Sequence, residues 1–74
     1  MRVKLEGQVI GIYERQGKNN NKYYEVAVKN SIAVYTLNLP PWIDQIPLEG
    51  DNVELILDVK PNKVVDCKIL ERAK

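Results

Sequence analysis

Tyrosines and cationic residues are concentrated in one stretch of twelve positions near the start of the chain. The members are Tyr13, Arg15, Lys18, Lys22, Tyr23 and Tyr24. Cationic side chains can neutralise phosphates, and aromatic rings can stack on bases, which is the combination that binds single-stranded nucleic acids. Positions 14–22 contain no aliphatic residue but one glycine and three asparagines, which favour turns, so the sequence predicts a basic loop there.

The candidate residues for binding nucleic acid share positive charge or an exposed aromatic ring. They are Tyr13, Arg15, Lys18, Lys22, Tyr23 and Lys29. The alternative is that the loop is only solvated and that the tyrosines pack within a sheet. Tyr24 alternates with Val26 and Val28, so the pattern favours a core position for it. Trp42 either closes one end of the fold or is an exposed aromatic at a contact.

The composition gives no support for a catalytic or metal site. The chain has 74 residues, no histidine, one cysteine (Cys67) and a formal net charge of +1. The usual general base and the usual metal ligand are therefore missing, and a single thiol cannot hold a zinc ion or close an internal disulfide. We expect a non-enzymatic binding domain with no cofactor, no metal and no small-molecule substrate. The near-neutral charge leaves a protein-interaction domain as an alternative.

The elements that must position these residues are strands, because apolar residues recur with a period of two. Val53, Leu55 and Leu57 alternate with polar residues, and Val65, Cys67 and Ile69 do the same, so both sets are predicted to face the core and Cys67 to be buried. In the first strand the apolar phase changes near Gly7 and Gly11, which could accommodate a bulge or bend. Ala27 falls on the polar side of its strand. The predicted strands cover residues 2–13, 23–29, 32–39, 52–60 and 64–70.

Five short strands in a single domain over 1–74 predict an all-β, antiparallel Greek-key barrel. The long bent first strand and the longer link between the third and fourth strands favour an OB-fold, and an SH3-like barrel is the alternative. Residues 40–50, with three prolines, leave room for one helical turn at most. Pro61-Asn62 is expected to form a tight turn, and residues 71–74 a solvated tail.

The run Arg15-Gln16-Gly17-Lys18, followed by a tyrosine and two strands, resembles the small single-stranded DNA-binding proteins of filamentous phages. The resemblance covers four residues closely and the rest of the chain diffusely. It implies an OB-fold that dimerises and coats single-stranded DNA with little sequence preference. By position it implies Arg15 and Lys18 for phosphates and Tyr23 for stacking. The chain departs from that family in the longer spacing from Lys18 to Tyr23 and in its short final turn.

Further expectations concern partners and compartment. Sequence does not separate DNA from RNA, since discrimination depends on how the 2′-hydroxyl is met. No apolar run approaches the roughly 20 residues of a membrane helix, so no membrane partner is expected. The N-terminal residues lack the apolar run of roughly 7–15 residues that a secretory signal has, so no such signal is expected. The single cysteine favours a reducing cytoplasm, which would be the host cytoplasm for a phage or viral protein. A homodimer is expected.

Overall fold

The structure is a computed structural model that describes residues 2–58 and 63–72. The predicted Pro61-Asn62 turn, the end of the fourth predicted strand and the last two residues lie outside this description. The elements in chain order are β1 (Arg2–Gln16), a 3-10 turn (Lys18–Asn20), β2 (Lys22–Lys29), β3 (Val34–Asn38), β4 (Asn52–Asp58) and β5 (Lys63–Glu71).

The five strands form one antiparallel sheet in the order β3-β2-β1-β4-β5. Strands β1 to β3 are consecutive neighbours and β4 returns to lie beside β1, which is the Greek-key arrangement. β3 and β5 approach each other on the open side without pairing in the sheet. The predicted all-β Greek-key class is therefore confirmed, with an OB-like strand order and a sheet that does not close completely.

The long first strand joins the two halves of the sheet. Its first part pairs with β4 as far as Gln8↔Asn52, and its second part pairs with β2 from Gln8↔Lys29 onward. The register shifts between Val9 and Gly11, so the predicted bulge is present. At Gly7 an added Cβ would lie 2.6 Å from the carbonyl oxygen of Lys29. The absence of a side chain at Gly7 thus permits β1 to cross close to the end of β2.

A turn before β4 fixes the position of this bulge. The Asp51 N–H donates to the Leu48 carbonyl (3.0 Å), and Gly50 has φ of 94°, as a type II turn requires. The Gly50 N–H donates to the Val9 carbonyl (2.7 Å), and the Val9 N–H donates to the Asp51 carbonyl (2.8 Å). The buried Asp51 carboxylate accepts from the Leu48 N–H (2.8 Å) and from Arg72 (3.4 Å). Arg72 is therefore tied to the domain, in contrast to the predicted solvated tail.

The hydrophobic core lies on the inner face of the sheet. Its buried members come from every strand but β3, with one more from the residue after β3: Val9, Val26, Val28, Leu39, Val53, Leu55, Leu57 and Val64. Tyr24, Leu37, Cys67 and Ile69 pack against this cluster and are partly buried. The alternation predicted for β2 and β4 is confirmed at these positions.

Three predictions about buried positions were wrong. Ala27 is buried, because it lies mid-sheet in β2 with β1 and β3 on either side. In β5 a register shift places Val64, and not Val65, fully in the core opposite Leu57. Cys67 is only half-buried.

The limits of four strands also differ from the prediction, and among them β2 begins at Lys22 and β5 covers Lys63–Glu71. β3 begins at Val34, not at Ile32, because the Asn30 side chain accepts hydrogen bonds from the N–H groups of Ile32 and Ala33 and forms a turn there. It ends at Asn38. β1 continues to Gln16, three residues beyond its predicted end.

Candidate nucleic-acid interface

The continuation of β1 places Arg15 on a strand and not in the predicted loop. The β1–β2 ladder extends through Arg15↔Tyr23 to Gln16↔Lys22. The connection is therefore only Gly17–Asn21, closed by a hydrogen bond from the Gly17 N–H to the Asn21 carbonyl (2.7 Å). Asn19 has φ of 61°, which asparagine tolerates better than most residues. Arg15 is consequently held in β1, just before the turn, by the backbone pairing of β1 with β2.

One face of the sheet, which we call the outer face, collects most of the predicted site. Residues directly opposite each other in an antiparallel ladder project to the same side. Tyr13 lies opposite Glu25, which lies opposite Asn38, and Arg15 lies opposite Tyr23. Ala27, two residues from Glu25, lies between Gly11 and Thr36. The outer face therefore carries two tyrosines, one arginine and one carboxylate beside a row of small residues.

Tyr13, Arg15 and Glu25 contact one another on this face. The Arg15 guanidinium carbon lies over the Tyr13 ring, 5.6 Å from its centroid. Arg15 Nη2 donates to Glu25 Oε1 at 3.3 Å. The hydroxyl end of the Tyr13 ring packs on Gly11, where an added Cβ would lie 2.5 Å from the hydroxyl oxygen. Tyr13 remains 47 % exposed, so part of its ring is accessible to a ligand.

The second tyrosine lies at the turn. Tyr23 is partly buried, and its ring packs beside Gly17. A Cβ added at that glycine would lie 3.5 Å from the ring carbon Cε1, which is van der Waals distance. The exposed Lys18 belongs to the same turn and lines a depression with Tyr23 and Pro41. An aromatic edge and a cation thus adjoin at the end of the outer face.

Lys29 lies away from this group, and Lys22 adjoins it only at the depression beside Lys18 and Tyr23. Lys22 neighbours Tyr23 in β2 and so projects to the opposite face, where its Nζ lies 3.4 Å from Glu14 Oε1. Lys29 shares the outer parity, but it is six residues from Tyr23 along β2, a distance of about 20 Å. It lines a separate depression with Glu6 and Glu71, whose charges oppose its own.

A groove extends the outer face across β3 toward β5 and contains residues that the sequence reasoning did not assign. It has a volume of about 550 Å³, and its lining includes Glu25, Asn38, Trp42 and Lys63. Trp42 is 65 % exposed, and its indole N–H donates to the Val65 carbonyl at 3.2 Å. Trp42 is therefore an exposed aromatic and not a plug. The signal for Trp42 in the sequence was an aromatic residue among prolines, whereas no feature of the sequence marked Lys63 as a site residue.

Comparison with known proteins gives no relatives from which function could be transferred. No family model, no curated protein and no solved structure matches the chain. Across residues 2–58 and 63–72, no group of three histidine, cysteine or acidic residues could hold a metal ion. In the same part of the chain no helix is long and apolar enough to cross a membrane.

Proposed function

We propose that the protein binds single-stranded DNA on the outer face without catalysing a reaction. The observation that carries the proposal is the placement of Tyr13, Arg15 and Tyr23 on one face of paired strands, with Lys18 at its end. In OB-folds, oligonucleotides bind on the face of strands 2 and 3 and beside the loop between strands 1 and 2. Here the same region carries the exposed aromatic and cationic side chains.

In the proposed complex, Arg15 and Lys18 contact phosphates, and bases stack on Tyr13 and Tyr23. The bound nucleic acid continues along the groove to Lys63 and Trp42, which supply one more cation and one more aromatic ring. Stacking on aromatic rings is tolerant of sequence, because every base has a π-face. Little base preference is therefore expected.

The number of cations sets the salt dependence. Three phosphate contacts, from Arg15, Lys18 and Lys63, give a slope of about −2 for log affinity against log salt on a single strand. The affinity for an oligothymidine should then fall about 20-fold between 50 and 200 mM salt. We would measure it by fluorescence anisotropy of a labelled oligothymidine, with duplex DNA and oligouridine titrated in parallel.

Variants inside and outside the site distinguish a defined binding surface from general electrostatic attraction. Arg15→Ala should weaken binding and reduce the salt slope by about 0.7, and Tyr23→Leu should weaken it at least about fivefold by removing a stacking face. Lys4→Ala removes the same charge eleven residues from Arg15 along β1, where Lys4 pairs with Glu54, and is the matched control, so it should change affinity little. Equal losses for Arg15→Ala and Lys4→Ala, or affinity independent of salt, would exclude this site. Stronger binding to oligouridine would make RNA the ligand.

A further inference from the structure

The ion pair between Arg15 and Glu25 has a position that a purely structural ion pair does not need. Glu25 lies directly opposite Tyr13, and Arg15 reaches diagonally across the two strands to meet its carboxylate at 3.3 Å. In doing so the guanidinium lies over the Tyr13 ring. One interaction thus engages both the group that would bind a phosphate and the ring that would stack on a base.

We propose that Glu25 controls access to the site by holding Arg15 over Tyr13 in the free protein. This inference rests on the proposed function. A bound strand must replace both partners of Arg15 together: a phosphate takes the guanidinium from Glu25, and a base takes the ring surface that Arg15 leaves. Glu25 is then a positioning residue that lowers the affinity for nucleic acid and makes binding to a phosphate alone, or to a base alone, unfavourable.

The exposure of the three groups permits such an exchange. The Arg15 side chain is 53 % exposed and that of Glu25 is 25 % exposed, so the guanidinium can leave without opening the core. Solvent-exposed ion pairs contribute little, and the corresponding effect on binding is at most about fivefold. Glu25 is held by the β2 backbone between β1 and β3, so it remains beside the site after Arg15 has moved.

The same two strands supply a matched control. Glu14 and Lys22 form a second diagonal ion pair, at 3.4 Å, on the opposite face. Glu14→Gln and Glu25→Gln change the net charge equally and are both isosteric. They differ in whether the carboxylate faces the proposed site.

The experiment is a double-mutant cycle read by anisotropy on labelled oligothymidine at 50 mM salt. Glu25→Gln should tighten binding about two- to fivefold, and Glu14→Gln should change it by less than half as much. In an Arg15→Ala background, Glu25→Gln should tighten binding no more than the Glu14→Gln control does. Equal tightening with and without Arg15 would mean that Glu25 acts only by repelling phosphates, which overturns the proposal.

A second measurement needs no nucleic acid. In the free protein, Glu25→Gln should shift the Tyr13 ring and Arg15 side-chain NMR signals, because the guanidinium leaves the ring, while Glu14→Gln should leave them in place. Unchanged Tyr13 signals in Glu25→Gln overturn the inference even if the wild type binds DNA. If the wild type binds no oligonucleotide while the signals shift, the ion pair exists but the proposed function fails, and the inference fails with it.

Discussion

Two glycines in β1 allow a sharp test of how the sheet bends and how Tyr13 is seated. An added Cβ at Gly7 would lie 2.6 Å from the Lys29 carbonyl oxygen and 2.6 Å from the buried Val28 side chain. The three atoms nearest to an added Cβ at Gly11 all belong to the Tyr13 side chain, with its hydroxyl oxygen at 2.5 Å. Backbone and core atoms cannot move away easily, whereas an exposed ring can.

The two alanine variants should therefore differ in stability. Overpacking costs about 1–3 kcal/mol. Replacing glycine by alanine stabilises the protein by about 0.4–1 kcal/mol, because it lowers the conformational entropy of the unfolded chain. Gly7→Ala should lose about 1–2 kcal/mol, which lowers Tm by about 5–15 °C in a domain of this size. Gly11→Ala should stay within about 1 kcal/mol of the wild type, because the ring rotates outward.

Far-UV circular dichroism during thermal and urea unfolding gives both stabilities, and anisotropy with oligothymidine then shows whether moving Tyr13 changes binding. Gly11→Ala should alter affinity while retaining stability. The reasoning would be refuted if Gly7→Ala were as stable as the wild type, or if Gly11→Ala were the less stable of the two. The first result would mean that β1 does not pass Lys29 as closely as the structure shows, and the second that the Tyr13 ring cannot move away from Gly11.

Further predictions concern the core, the turn before β4, the thiol and self-association. Leu55→Ala should lower the free energy of unfolding by about 2–5 kcal/mol in urea titrations, because Leu55 is fully buried. Asp51→Ala should cost about 1–3 kcal/mol by leaving the Leu48 N–H without its acceptor. Burial, with a smaller effect from Asp66, raises the pKa of Cys67 to about 11, so its ionisation should lower stability as pH rises from 9 to 11, and Cys67→Ser should make that fall smaller. Sedimentation velocity should show the expected dimer, and a monomer at every concentration would contradict it.

Much of the fold could be predicted because alternation carries direct information about which face of a strand is buried. Val26 and Val28 in β2, and Val53 and Leu55 in β4, follow a strict period of two and are buried. The bulge near Gly11 was also predictable, because the apolar phase changes there. In β5 the sequence contains no glycine to mark the register shift, so the alternation alone predicts Val65 at the core position that Val64 occupies.

The position of Arg15 could not be predicted from composition. Charged and amide side chains in residues 14–16 are typical of a loop, but backbone ladder bonds do not depend on side-chain polarity. The cross-strand ion pairs Arg15–Glu25 and Lys22–Glu14 also favour continued pairing. The sequence does not show which cations share a face, because this depends on the register of β1 against β2. That register separates Arg15 from Lys22.

The strand location of Arg15 bears on how a nearly neutral protein could bind a polyanion. Counterion release depends on the number of phosphates contacted and not on net charge, so a formal charge of +1 does not oppose the proposal. A side chain based on paired strands loses less freedom on binding than one on a mobile loop, which improves the affinity gained from each contact. Glu25 works against this gain by occupying Arg15 in the free protein. The outer face therefore combines a preorganised backbone with an internal competitor, and the balance between the two should set the affinity.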